Sequence, residues 1–365
     1  MKAKKVSPPV SIASLLTAGL LASSALAQPS GTTVVMSGLD NPRGMAFAPN
    51  GALYVTEAGR GGPPPCFTNP ANNETRCFGK TGAVTRLWKG KQERVVEGLE
   101  SHANPDGSSA SGPTDISFQG TAYITMGLGG DRGFQAALGG TYSGSLLHMA
   151  ASGQFQVIAD ILKHEEDENP GGLAIDTNPF AVLAEPGGRV VVDAGGNSLL
   201  RVAANGKVET LAVFPAQPNP AFPSSPPLPP FPPTVESVPT SVARGPDGAL
   251  YVGELTGFPF VQGLARIFRV VPGQSPVAVC GGFKAIIDIA FAPDGSLLVL
   301  ENATGGLFFL PNTGRLSRLY LSDCTSTPVL TGLNRPTSVA VGPNGAIYVT
   351  NNGVTPGAGQ VLRIP

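Results

Sequence analysis

Four sixteen-residue stretches of the chain superimpose without a gap: PRGMAFAPNGALYVTE at 42–57, PTSVARGPDGALYVGE at 239–254, IIDIAFAPDGSLLVLE at 286–301 and PTSVAVGPNGAIYVTN at 336–351. Each carries two alternating or apolar runs about a Pro-Asn-Gly or Pro-Asp-Gly corner. The corner glycine supplies the positive φ that a tight antiparallel connection needs, so each copy predicts a β-hairpin. Two weaker copies fill the gaps, one at 113–126 that is two residues short at the corner and one at 170–193 that is eight residues long there. The six starts, 42, 113, 170, 239, 286 and 336, lie 71, 57, 69, 47 and 50 residues apart. Two further strand-like runs follow each hairpin, for example 82–89 with 94–99, and 263–271 with 276–280. Six units of four strands predict an all-β, six-bladed β-propeller, one domain over residues 28–365. From 336 onward only 30 residues remain, room for three strands, so residues 32–36 are expected to supply the fourth and close the last blade. A β-sandwich followed by a second domain would not carry one register-matched repeat along the whole chain.

Composition agrees with this turn-rich reading: 48 Gly and 36 Pro among 365 residues leave little room for long helices. Lys2, Lys4 and Lys5, the apolar run 12–26 and an Ala25-Leu26-Ala27 cleavage site read as a secretory signal peptide over 1–27. A secreted or periplasmic location follows, with no membrane span elsewhere. Loss of three leader lysines takes the balance of 24 basic and 25 acidic residues to a net charge of −4. Nucleic acid is therefore not expected as a partner, because a phosphate backbone demands a clustered basic surface. In an oxidising compartment Cys66 and Cys77, which flank a Pro/Asn-rich stretch, read as a disulfide. Cys280 and Cys324 lack metal-site spacing, and whether they pair is left open.

The stretches NPRGMAFAPNGALYVTEAGRGG at 41–62, CFGKTGAVTRL at 77–87, GPTDISFQGTAYITMGLGG at 112–130, EPGGRVVVDAGGNSLLRV at 185–202 and VPTSVARGPDGALYVGELTGFPF at 238–260 resemble the ScyD/ScyE family of exported propeller proteins. More distantly, the repeat is similar to NHL and gluconolactonase-type six-bladed propellers. The closer resemblance implies an exported propeller without a settled chemistry, some members being associated with the making of a sunscreen pigment. The distant one implies, as an alternative, a metal-dependent lactonase in which Glu254 would serve as base.

In a propeller hairpin the first strand leaves one face and the second returns to it, so both ends of every copy belong to the same rim. Position three reads Gly44, Asp115, Gly172, Ser241, Asp288 and Ser338, and position sixteen reads Glu57, Met126, Asp193, Glu254, Glu301 and Asn351. Asp115, Asp288, Glu57, Asp193, Glu254 and Glu301, with Asn351 and Asn197, are expected around one channel mouth. Converging carboxylates repel unless protonated, hydrogen-bonded or neutralised. Three uses stay open: pinning the blades through backbone N–H groups, binding Ca²⁺ or Mg²⁺ through Glu57, Asp193, Glu254 and Glu301, or acid–base catalysis. Arg43, at the same mouth, is expected either to anchor an acidic ligand or to pair with a neighbouring Glu.

The three histidines share no repeat position, and neither G-x-S-x-G nor H-E-x-x-H occurs. The glycines of 127–130 precede no expected helix, which disfavours a phosphate loop. The charge run 164–168 reads as a solvated loop. The eleven prolines of 215–239 dictate extended backbone without sheet pairing, crossing the same face as the mouth. The sequence thus favours a monomeric, non-catalytic binding or scaffold module acting on a small molecule or a protein at an acidic face.

Overall fold

A computed structural model describes residues 29–69, 73–223, 231–305 and 309–365. The expected leader lies outside these, as does the middle of the proline-rich segment. Six antiparallel sheets form the blades of a propeller. Blade one comprises Pro42–Phe47, Leu53–Glu57, Thr75–Trp88 and Lys91–Ala103, with the short strand Phe67–Thr68 added; blade two comprises Pro113–Gln119, Thr121–Met126, Ser145–Met149 and Phe155–Asp160. Blade three is Pro179–Glu185, Gly188–Asp193, Ser198–Val202 and Val208–Val213, and blade four Pro239–Arg244, Leu250–Glu254, Ala265–Val270 and Val277–Phe283. Blade five is Ile286–Phe291, Leu297–Glu301, Gly314–Tyr320 and Thr325–Leu333. Blade six takes Val339–Val341, Ile347–Asn351 and Gly359–Ile364, and Thr33–Leu39 pairs with the last of these to close the ring. The corner glycines Gly51, Gly248, Gly295 and Gly345 all have φ near 80°, as the repeat requires.

Four local expectations are corrected. Blade three starts at Pro179, which pairs with Asp193, rather than at residue 170. The Pro-Gly-Gly at 170–172 imitates a blade start, but Asn178-Pro179 is the counterpart of Asn41-Pro42, so Ala181 and not Gly172 holds position three. The charged run belongs to a helix, Ile161–Glu168, N-capped by Asp160, and the glycines of 127–130 do precede a helix, Arg132–Leu138. Asp131 caps that helix by accepting from the Phe134 N–H, so a carboxylate already takes the place a phosphate would need. The proline-rich segment pairs at its ends, Gln217–Pro218 with Thr234–Val235.

Each sheet is buried against its neighbours. Met45, Leu53, Val55 and Val361 close blade six on blade one, and comparable clusters fill the other five junctions, among them Val192, Leu199, Val252 and Phe268 between blades three and four. Two polar devices set the angle between blades. The inner strands slip register at position two, between Pro113 and Asp115 or Pro239 and Ser241. Threonines there turn sideways: Thr114 donates to the Pro179 carbonyl, Thr240 to Ile286 and Thr337 to Pro42, each at 2.7 Å. Position three accepts the position-four N–H of the blade it faces, as Asp115 does from Val182, Asp288 from Val339 and Ser338 from Met45. Thr240→Val is expected to lower stability by about 1–2 kcal/mol, the cost of leaving the buried Ile286 carbonyl unpaired. Urea unfolding checks this; an unchanged midpoint would show that the clip contributes nothing.

Both cysteine pairs are disulfides. Cys66–Cys77 staples the long loop of blade one, and Cys280–Cys324, with Cα atoms 5.6 Å apart, ties the outer edges of blades four and five. No helix among the described residues is long and apolar enough to cross a membrane.

Candidate functional site

The ends of the inner strands place position sixteen at one rim of the channel, and there the expected acidic residues are individually occupied. Glu57, fully buried, accepts the Asp40 N–H at 2.6 Å, the Thr85 hydroxyl, and Arg94 at 3.0 Å through Nε and 2.8 Å through Nη2. Glu254 takes the Ser237 hydroxyl and Arg266 Nε, both at 2.6 Å. Glu301 takes the Lys284 N–H and Arg315 Nε, both at 2.8 Å. Burial pushes the carboxyls of Glu254 and Glu301 up despite their arginines. Asn351 accepts the Asn334 N–H at 2.7 Å, the same bond made by an uncharged side chain. Position sixteen therefore ties the returning strand to the segment entering its own blade.

Asp193 has no arginine. It is fully buried, its Oδ1 accepts the N–H groups of Asn178 at 2.7 Å and Gly196 at 3.2 Å, and its Oδ2 has no partner. Burial, with Glu165 and Asp176 adding repulsion, pushes its carboxyl up to about 7. The Oδ2 is the one feature here that suits a cation, yet among the described residues no three His, Cys, Asp or Glu side chains are grouped to hold one. Among the described residues, then, Glu57, Asp193, Glu254 and Glu301 do not gather as a metal-ligating group, and Glu57, Glu254 and Glu301 each end on an arginine instead. Asn197, in a left-handed turn at φ 50°, accepts the Val238 N–H and donates to Glu236, bridging blades three and four.

Position three holds two further carboxyls. Asp115 and Asp288 line the inner wall half-buried; burial and then Asp288 push Asp115 up, and burial pushes Asp288 up to about 6. Asp115 packs where a side chain on Gly44 would stand, so the blank at that position of blade one makes room for it.

Among the described residues Arg43 pairs with no Glu, which corrects one of its two expected roles. Its Nη atoms donate to the carbonyls of Ala110 and of Gly353, the latter at 3.2 Å, stitching blade one's loops to those of blade six. Sequence reasoning missed its neighbours. Arg335, just before blade six, donates Nη1 to the Phe309 carbonyl and lies 4.5 Å over that residue's ring, and Arg76 donates to Asn104 and the Ser109 carbonyl. Neither belongs to the sixteen-residue repeat, so no periodic signal announced them.

A hollow of about 550 Å³ lies elsewhere, at the corner end between blades one and two, lined by Tyr54, Phe118, Thr121 and Met149. It is a splay between outer strands, and none of the expected rim residues lines it.

No protein-family model and no curated protein sequence matches the chain. Solved structures do. A candidate oxidoreductase (glucose dehydrogenase) from Thermus thermophilus aligns with TM-score 0.53 and 18% identity over 91% of this chain and 98% of its own. The calcium-binding protein regucalcin from Agrobacterium tumefaciens gives 0.53 and 14% over 92% and 93%, and a candidate gluconolactonase 0.51 and 10% over 92% of both. At such identities the likeness carries the six-bladed fold alone.

Proposed function

We propose that this protein is a non-catalytic binding module of the ScyD/ScyE type, exported to an oxidising compartment, that takes its ligand at the channel rim. The observation that supports this most is the use made of the rim glutamates: Glu57, Glu254 and Glu301 each end on an arginine of their own blade. Side chains so engaged serve neither as a free base nor as ligands of a hard cation. The two cystines suit export.

The lactonase alternative keeps one foothold, the raised carboxyls of Asp115 and Asp288, since Asp288 at about 6 lies close enough to neutrality to suit proton transfer. Incubation with gluconolactone and simple aliphatic lactones, each with Ca²⁺, Mg²⁺, Mn²⁺ or Zn²⁺ added, separates the two. No hydrolysis above buffer is expected. Hydrolysis that vanishes in a folded Asp288→Asn variant would replace the binding module with a hydrolase.

A further inference from the structure

We propose that the rim beside Arg43 and Arg335 binds a flat aromatic anion, an arene carboxylate or similar, with its charge on the arginines and its ring against the Phe309–Phe260 wall. The inference rests on the binding-module reading and names the chemistry of its ligand.

Charge carries the first half. Among the described residues no carboxylate pairs with Arg43 or Arg335; their bonds go to the carbonyls of Ala110, Gly353 and Phe309. Burial first, and then the charges of Arg335 and Arg76, lower the Arg43 guanidinium to about 10. Among the described residues the one carboxylate paired with Arg76 is Glu74, at 3.3 Å and 58% exposed, and Arg335 keeps a buried Nε with no partner. Gathering like charges in a partly shielded place costs free energy that an entering anion recovers, and guanidinium forks favour a planar carboxylate. The rim glutamates Glu57, Glu254 and Glu301 are taken by Arg94, Arg266 and Arg315 and do not compete for Arg43 or Arg335.

Shape carries the second half. Arg335 stacks on Phe309, whose ring centroid is 4.4 Å from that of Phe260; Phe260 meets Phe258 at 6.2 Å, and Phe258 meets Phe231 of the proline-rich connector at 5.4 Å. A line of phenyl rings thus starts at an arginine. Phe309 and Phe260 are half-buried and Phe258 is 39% exposed, so the wall meets solvent. Apolar faces next to unneutralised guanidinium groups suit a ligand that is both planar and anionic. An inorganic anion would leave the rings unused, and a neutral arene would leave the charges.

Calorimetric titration of the full exported chain tests this with four probes: 2-naphthoate, 2-naphthylmethanol, cyclohexanecarboxylate and sulfate. Binding of 2-naphthoate is expected, with each of the other three weaker by roughly tenfold or more, a difference of about 1.4 kcal/mol. Arg335→Gln and Phe260→Leu are each expected to weaken 2-naphthoate by roughly tenfold, at sites remote from the blade cores, with far-ultraviolet circular dichroism reporting retained fold. Equal binding of the neutral or the aliphatic probe, sulfate as tight as naphthoate, no binding of 2-naphthoate at millimolar concentration, or indifference to both substitutions would each overturn the proposal. None of these outcomes bears on lactone turnover, so the binding-module reading stands or falls by its own assay.

Discussion

An Arg94→Met variant is expected to unfold with about 3 kcal/mol less free energy than the parent protein at pH 7, the lower end of what stranding a buried charge costs. Arg94 serves two buried carboxylates, Glu57 through Nε and Nη2 and Asp40 through Nη2 at 2.9 Å. Methionine keeps the apolar stem and removes only the fork. Asp40 retains Arg60 at 2.6 Å, so most of the loss falls on Glu57, which is left with one N–H and one hydroxyl while fully buried. The figure is set low because the Arg94 side chain is itself 35% exposed and water screens part of its pull. Adding Glu57→Gln to Arg94→Met should restore most of the loss, since the amide still accepts the Asp40 N–H and carries no charge. Urea unfolding of the four members of this cycle measures the coupling. A coupling near zero would mean that the rim glutamates are not held by their arginines, and would return them to the pool of groups free for chemistry.

The propeller was legible because its cause is local and repeated. Pro-Asn-Gly and Pro-Asp-Gly corners set hairpins, alternation sets their faces, and both recur in register, so the ring follows from segments such as 239–254 and 336–351 without knowledge of any contact. Blade three escaped because its signal is degenerate: Pro170-Gly171-Gly172 carries the composition of a start, and only the pairing of Pro179 with Asp193 decides the register. The fate of the rim carboxylates was hidden for another reason. Arg94, Arg266 and Arg315 lie 37, 12 and 14 residues from their glutamates on third or fourth strands of uneven length. No fixed spacing therefore links a rim glutamate to its arginine, and the bond exists only once adjacent strands lie side by side. Repetition revealed which positions carry acids but not that Glu57, Glu254 and Glu301 each end on an arginine. Arg335 and Phe309, outside the repeat, were silent for the same reason.

Asp193→Asn is expected to make the protein more stable above neutral pH, by roughly 2–4 kcal/mol at pH 8, with the gain shrinking to nothing near pH 4. The carboxyl stands at about 7 in the folded protein against an ordinary 3.8, so between these values the folded state holds a proton that the unfolded state has lost. A raised acid gives its stability below the unfolded value and loses it as pH climbs through the folded one, at about 1.36 kcal/mol per unit. Asparagine removes that loss at no cost in bonds. Its Oδ1 still accepts from Asn178 and Gly196, and its amide replaces an oxygen that has no partner. The new N–H₂ also faces Glu165, whose Oε2 approaches the same side of Gly196 as Asp193 Oδ2. Thermal unfolding from pH 4 to 8 in EDTA, for both proteins, reads the effect as a gap that opens with pH and levels off past the folded-state value of about 7. A variant less stable than its parent at pH 8, with the parent alone gaining stability from added Ca²⁺, would mean that the bare oxygen serves a cation rather than a proton.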